Sequence, residues 1–446
     1  MRSCLIGMFL LLGFFRMHAQ QESLTYDSAD SITYRLYMEK NYSELQRVAN
    51  VALAQEIDFF YLRMRVGISY YGAYNYEAAL EHFKRAYEMS PTDEAVQEYY
   101  YYSLFLTGRK EDALEVAAAG GERLKTLTGY AGRPASAFVR SFETLSCTGG
   151  FFLTDHSSGA ASKDYKADGV YAETSVQGAM SFFSAHIANS LTSRCKLKNY
   201  FSIFSVASTG IVQSFLPTVE RAYANASVQY NLVTEYRFEN GFMTSMAAGV
   251  YKERSTRLTA TFDPSNITPE YTTIDFENNA VSASILGGYR YKNLQFTVSA
   301  STATFSKQSQ LQGEIGVWYY PFGNQNYYAY SALALLRNDT LTRAITSIKL
   351  GAKLLPMVWC EVKAGYGNHQ NYLGALGVEA YNTVDPVKAY IGIGLLVSWK
   401  NMSLQPYYTL QQREMSSVQY PTLKEMAIIR TIYYNQLFTT TLTWNI

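Results

Sequence analysis

Five histidines are the first place to look for chemistry in this chain, and they are scattered. His82 falls in a helical pattern, His186 in an alternating one, His156 and His369 in connecting segments and His18 in an apolar leader. None has a partner at metal-ligand spacing, and there is neither a phosphate loop nor a nucleophile elbow. Cys147, Cys195 and Cys360 are an odd number without metal or redox spacing. They are isolated strand residues, or two of them form a single disulfide. What remains is a set of charges on otherwise polar faces: Glu235, Arg237, Glu314, Lys349, Lys353, Glu361 and Lys363. Mixed signs of this kind suit a water-filled lumen that is weakly selective, or one closed by ion pairs across it. The chemistry to expect is electrostatics and solvation, with no enzyme, no cofactor and no metal.

Those charges need strands to hold them. The segment Ala224–Phe238 sets Ala226, Val228, Tyr230, Leu232, Tyr236 and Phe238 on one face, with Thr234 as the exception. Ser227, Gln229, Asn231, Glu235 and Arg237 fall on the other. A period of two with one apolar and one wet face suits a strand between lipid and a polar lumen. Fourteen such segments can be drawn, near 140–154, 170–190, 195–213, 224–238, 242–253, 271–291, 293–305, 309–320, 325–337, 341–353, 357–366, 388–399, 402–413 and 429–446. A spread of about 12 to 16 strands is consistent with such boundaries. The connections sort by parity: Glu239-Asn240-Gly241, Tyr291-Lys292-Asn293, Pro321–Asn324 and Lys400-Asn401 are tight. Asp155–Gly169, Glu253–Tyr271, Gly367–Val387 and Glu414–Ala427, in the opposite phase, are long. Short turns on one side and long connections on the other are expected of an outer-membrane barrel, and a soluble sandwich has no reason to show them. Composition agrees, with only 17% charged residues, 39 Tyr and 24 Phe. Tyr joins an apolar ring to a wet hydroxyl and suits membrane interfaces.

The segment before the strands has a different period. From Gln21 to about Leu127 apolar positions recur at helical spacing, and a 34-residue repeat aligns Tyr42 with Tyr76, Ala49 with Phe83 and Ala52 with Ala86. The unit Phe60–Asp93 resembles a tetratricopeptide repeat through Val66, Gly67, Tyr70, Ala79, Phe83, Ala86 and Pro91, and departs from it at Arg63, where the family often has Trp. The next unit keeps Gly108 and Ala113. Close packing would rest on Gly67 and Ala79, with Tyr70 and Phe83 filling the space between two helices. The resemblance implies a concave partner-binding face lined by Tyr61, Met64, Arg65, Ile68 and Tyr71, continued by Glu98, Tyr99 and Tyr102. The alternative is that Tyr99–Tyr102 simply buries aromatic surface.

Arg2, the apolar run Leu5–Phe15 and Ala19 read as a signal peptide. The expected organisation is thus a leader at 1–19, helical repeats at 20–128, a linker at 129–138 and a barrel at 139–446. In fold class this is an α+β multidomain chain, helical repeats followed by an antiparallel transmembrane barrel of about 14 strands. Net charge is −6 over residues 21–128 and +5 over 129–446, with +1 for the whole chain, which excludes a basic nucleic-acid footprint. The stretch Trp318–Tyr328 resembles a strand-turn-strand of repeat-fused outer-membrane proteins of Bacteroidota, and the layout is loosely similar to YaiO-like barrels. That resemblance implies an outer-membrane location with the repeats in the periplasm. The first functional expectation is a non-enzymatic barrel whose repeats bind a periplasmic or outer-membrane protein, within a secretion or surface-glycan export assembly in outer-membrane lipid. The alternative is a solute channel gated or plugged by the helical domain. A lipid-modifying enzyme is the third reading, and it would need a His-Ser pair on the lipid side near the outer rim. His186 falls opposite Phe183, Ala185 and Ile187, at the wrong depth.

Overall fold

The computed structural model describes residues 24–129, 143–154, 171–192, 194–214, 218–238, 241–263, 266–305, 308–338, 341–381, 385–422 and 425–445. The expected leader, the linker beyond Gly129, His156 and the connection 155–169 lie outside the described residues. The chain forms two compact units, residues 1–103 and 104–446.

In the first unit, helices pair because each carries one apolar stripe that must be covered. α1 (Tyr26–Met38), α2 (Tyr42–Ala54) and α3 (Phe60–Gly72) enclose one core around Leu45, Ala49, Leu62 and Val66. The other face of α3 meets α4 (Tyr76–Met89) and the start of α5 (Glu94–Leu106) around Met64, Phe83 and Val96. Thr25, Asn41 and Asn75 cap their helices through side-chain oxygens, satisfying backbone N–H groups that have no partner within the helix. Gly67 sits against Phe83 so closely that an added Cβ would lie 2.5 Å from the ring.

Arg63 has a role of its own here. It makes a two-pronged hydrogen bond to Asp58 (2.6 and 2.9 Å), and its Nη1 lies 3.3 Å from His82 Nδ1. His82 is buried and stacked on Tyr70. Burial, and then the neighbouring guanidinium, push its pKa down to about 4.

The second unit contains α6 (Lys110–Ala119), α7 (Glu122–Leu127) and a closed antiparallel barrel of fourteen strands. Its wall is built from β1 (Thr144–Thr154), β2 (Tyr171–Ser190), β3 (Cys195–Ser214), β4 (Val219–Arg237), β5 (Phe242–Asp263), β6 (Asn266–Tyr291) and β7 (Leu294–Phe305). It continues through β8 (Gln308–Tyr319), β9 (Tyr327–Asn338), β10 (Leu341–Leu355) and β11 (Val358–Tyr366). A two-stranded hairpin, β12 (Leu373–Gly374) and β13 (Glu379–Ala380), interrupts the series before β14 (Val387–Trp399), β15 (Met402–Thr422) and β16 (Glu425–Asn445). Closure comes from β1 pairing with β16, Thr144 opposite Asn445 through Thr154 opposite Asn435.

The alternation read in the sequence is the alternation of the wall. On β4, Val228, Tyr230 and Tyr236 are exposed while Gln229 and Asn231 are buried, the reverse of a water-soluble sheet. Val298, Ile315 and Ile393 are 61%, 57% and 50% exposed, which suits a wall surrounded by lipid and not by water. Trp399 and Trp444 face outward, whereas Trp318 faces the lumen and Trp359 lies under the Lys353 ammonium.

Two expectations change. The segments 253–271 and 414–427, expected as long connections, are largely strand. β5 and β6 pair up to Asp263 opposite Asn266, and β15 and β16 up to Thr422 opposite Glu425. At about 3.3 Å per residue, β5 spans about 70 Å, well beyond the hydrocarbon thickness of about 30 Å. Outside lipid a hairpin keeps its backbone ladder but needs no apolar face, so its alternation fades; the exposed pair Lys252–Glu277 (2.5 Å) is an example. The disulfide alternative also falls, because Cys147, Cys195 and Cys360 are free.

Two outcomes follow. As pH falls from 6.5 towards 4, the unfolded state takes up a proton that buried His82 refuses, so the first unit loses stability, by about 2 kcal/mol at pH 5. Amide exchange across α3 and α4 in the intact protein should quicken between pH 7 and 5, and His82→Gln should remove most of that dependence. Ile393→Arg at mid-wall should cost about 2–4 kcal/mol in urea titrations of vesicle-folded protein, with a smaller cost for Ser299→Arg inside the lumen.

Candidate functional site

The lumen is organised by one strand. β8 points Gln310, Gln312, Glu314 and Trp318 inward at the two-residue period of a strand. Directly after β11, Gly367 takes φ +123, and a Cβ there would lie 2.5 Å from the Ala344 carbonyl oxygen, so only glycine fits. The chain turns inward at that point. His369 is buried, its Nδ1 within 2.8 Å of the Gly367 carbonyl oxygen and 3.1 Å of that of Val387.

The β12–β13 hairpin then enters the lumen and is held there by side chains that act as strand partners. Gln312 donates to the Leu373 carbonyl oxygen (2.9 Å) and accepts from the Leu373 N–H (3.0 Å). Gln310 donates to the Asn371 carbonyl oxygen (2.7 Å) and Tyr372 donates to Glu314 (2.7 Å). Three strands along the wall, on β5, Tyr251 donates to the Gly377 carbonyl oxygen (2.8 Å) while its hydroxyl also meets Asn231 and Ser282. Leu373 completes an apolar cluster with Tyr251, Ala280, Ala303 and Phe305.

At the opposite end of the barrel, among the tight turns, arginines hold the turn that follows α5. Arg290 donates to the Thr107 carbonyl oxygen (2.5 Å) and Arg237 to that of Gly108 (3.4 Å). Carbonyls at a helix C-terminus carry partial negative charge, so cations are favoured there. Arg194 pairs with Glu115 (2.7 Å) and Asp112 (3.4 Å) of α6.

Between these two structures lies a cavity of about 940 Å³. Of the seven charges expected in the lumen, Glu235, Arg237, Glu314, Lys349, Glu361 and Lys363 line it; Lys353 does not, its ammonium lying 4.6 Å from the Trp359 ring centre. Among the described residues the sign balance is even: Asp112, Glu235, Glu314, Glu361 and Glu379 face Arg109, Arg237, Arg290, Lys349 and Lys363. Several are already engaged. Glu235 accepts from Lys198 (2.6 Å), Lys349 lies 3.6 Å from Glu361, Tyr328 donates to Glu361, and Tyr330 donates to Glu314 (3.2 Å).

What the sequence reading missed is the aromatic and amide lining: Gln310, Gln312, Tyr330, Tyr372, Tyr390 and Tyr407. The Gln310-x-Gln312-x-Glu314 run, three long polar side chains on one face, was the available signal. A strand facing an empty passage has no need of them.

The residues expected on the repeat face are brought together but mostly turned inward. Tyr61 is 61% exposed, whereas Met64 and Arg65 are buried. Arg65 donates to Asp30 (2.7 Å) and Thr33 (3.0 Å), with its guanidinium over the Tyr34 and Tyr61 rings. Ile68, Tyr71 and Tyr99 pack on the Phe83 cluster, and Glu98 and Tyr102 are half-buried. His186 stacks on Tyr200 with ring centres 4.3 Å apart. Among the described residues no group of three or more His, Cys, Asp or Glu could hold a metal ion.

No protein-family model matches the chain, and no curated protein matches it. Solved structures similar to it include the Pseudomonas putida toluene transporter TodX, at 8% identity over 71% of this chain and 93% of that one, with a TM-score of 0.46. A Pseudomonas aeruginosa FadL homologue is similar at 7% identity over 71% and 94%, TM-score 0.43. A bacterial polysaccharide outer membrane secretin is similar at 13% identity over 69% and 99%, TM-score 0.34.

Proposed function

We propose that this protein is an outer-membrane channel for small polar solutes, with its N-terminal helices in the periplasm and its lumen constricted at both ends. The observation that carries the reading is the 940 Å³ cavity bounded by the β12–β13 hairpin on one side and the Thr107–Arg109 turn on the other. A barrel serving only as an anchor needs no such space, and side chains would fill it. The two closures differ in kind. The hairpin is stitched by buried hydrogen bonds and an apolar cluster; the turn is held by arginines on carbonyls and carboxylates, a contact that salt weakens.

A second reading is favoured by one observation on the helices. Tyr26, Tyr34, Tyr61 and Tyr74 are all more than half exposed, an unusual amount of aromatic surface for a repeat unit left alone in water. We accordingly keep the proposal that these helices, read as tetratricopeptide-like repeats, bind a periplasmic or outer-membrane protein, as an envelope export assembly would require.

In planar bilayers the full-length protein should show small, infrequent openings. Removing residues 370–381 should give a long-lived open state with several-fold higher conductance. Gln312→Ala leaves two backbone groups of Leu373 unpaired, at a cost of about 1–3 kcal/mol. It should therefore raise the open fraction about tenfold. A barrel that stays silent after removal of 370–381, in salt high enough to release the arginine-held turn, would refute the channel.

A further inference from the structure

Resting on the channel reading, we infer that the cavity selects a neutral, polyhydroxylated solute, a sugar or short oligosaccharide, over ions and apolar molecules. Three features of the lining point the same way. Among the described residues its five acidic and five basic side chains balance, Lys349 lies 3.6 Å from Glu361 within the lining, and Glu235 is paired with Lys198 beside it, so little net field remains to concentrate either sign of ion. An apolar solute fares worse, because it would strip water from those charged groups and offer them no hydrogen bond. A neutral solute with many hydroxyls can replace the water it displaces.

The arrangement of the remaining side chains is specific. Four aromatic rings come in two neighbouring pairs along one arc of the wall, Trp318 on β8 with Tyr330 on β9, and Tyr390 on β14 with Tyr407 on β15, while β10 and β11 between them supply Lys349, Glu361 and Lys363. Trp318 and Tyr330 lie with ring centres 4.4 Å apart. Hydroxyl and amide side chains flank that arc on both sides, Gln295, Thr297 and Ser299 on β7 and Thr439 and Thr441 on β16. A pyranose has two apolar C–H faces and a rim of hydroxyls. Its C–H groups carry slight positive charge that suits the negative face of a ring, and its rim suits flanking hydroxyls and amides.

The rings are also held in place. Tyr330 is tied to Glu314 and Tyr328 to Glu361, while the Lys363 ammonium sits 4.5 Å from the centre of the Tyr407 ring. The Tyr407 hydroxyl is buried at the lining without a hydrogen-bond partner among the described residues, a polar group that a bound hydroxyl would satisfy.

The test uses Trp318 as reporter. With Trp359, Trp399 and Trp444 changed to Phe, the detergent-solubilised full-length protein is titrated with maltotriose, cellotriose, trigalacturonate and toluene while its fluorescence is followed. Heat-shifted migration on gels certifies that each variant is a folded barrel. A saturable change is expected with at least one neutral trisaccharide, with trigalacturonate at least tenfold weaker and no saturation by toluene. Tyr407→Phe, which keeps the ring, should weaken trisaccharide binding about three- to tenfold. Saturation by trigalacturonate or toluene alone would overturn the assignment, as would no change with either trisaccharide. Conductance after removal of 370–381 separates the two ideas. An open pore without sugar binding keeps the channel and discards the solute class; sugar binding without conductance keeps the site and discards the channel.

Discussion

Every backbone N–H and C=O that faces lipid must find its partner inside the protein, and the closed ladder of this barrel is how the chain meets that demand. The seam where β1 meets β16 joins residues as far as 301 positions apart, Thr144 opposite Asn445, and it leaves no free edge along β1. With the ladder closed, side chains are free to sort by face. Lipid takes Val298, Ile315 and Ile393; the lumen takes Gln310, Gln312 and Glu314.

The same constraint shapes the wall above the membrane. Among the described residues β1 runs to Thr154 and β14 begins at Val387, and the upper reaches of β2 and β15 have no pairing with them. They find one another: Tyr171–Glu173 pairs with Val418–Tyr420. Beneath this pairing Val176, Ile211, Met415 and Tyr433 form a small apolar core that narrows the mouth on that side. At the same end, where β7 to β11 make the wall shorter, the hairpin after β11 performs the equivalent task, and there side-chain amides replace a missing strand. Both solutions satisfy buried backbone groups, and both leave the middle of the lumen unfilled.

That unfilled middle is where the physical demands on the lining compete. Charges within a barrel are tolerable when water or an opposite charge stays close, and here both signs come in equal number among the described residues. Aromatic rings on one arc and hydroxyls on its flanks then give the space a chemical preference without giving it a field. The helical unit follows different rules. Its residues are used twice over, Arg65 as a buried ion-pair donor that also carries two tyrosine rings, Phe83 as the wedge against Gly67.

The count of fourteen wall strands and the facing of residues on β4 and β16 were legible in the sequence, because a period of two between lipid and water is a local property that each segment carries by itself. So was the helical period, with Gly67 set against Phe83 as the repeat resemblance implies. The hairpins β5–β6 and β15–β16 were read too short because pairing outside lipid leaves no apolar signature, only a partner strand. The lumen plug was invisible for a related reason. Gly367 and Gln312 lie 55 positions apart, and nothing within either segment says that one turns inward and the other receives it. Periodicity tells each residue which way to face; only the closed wall decides what it will find there.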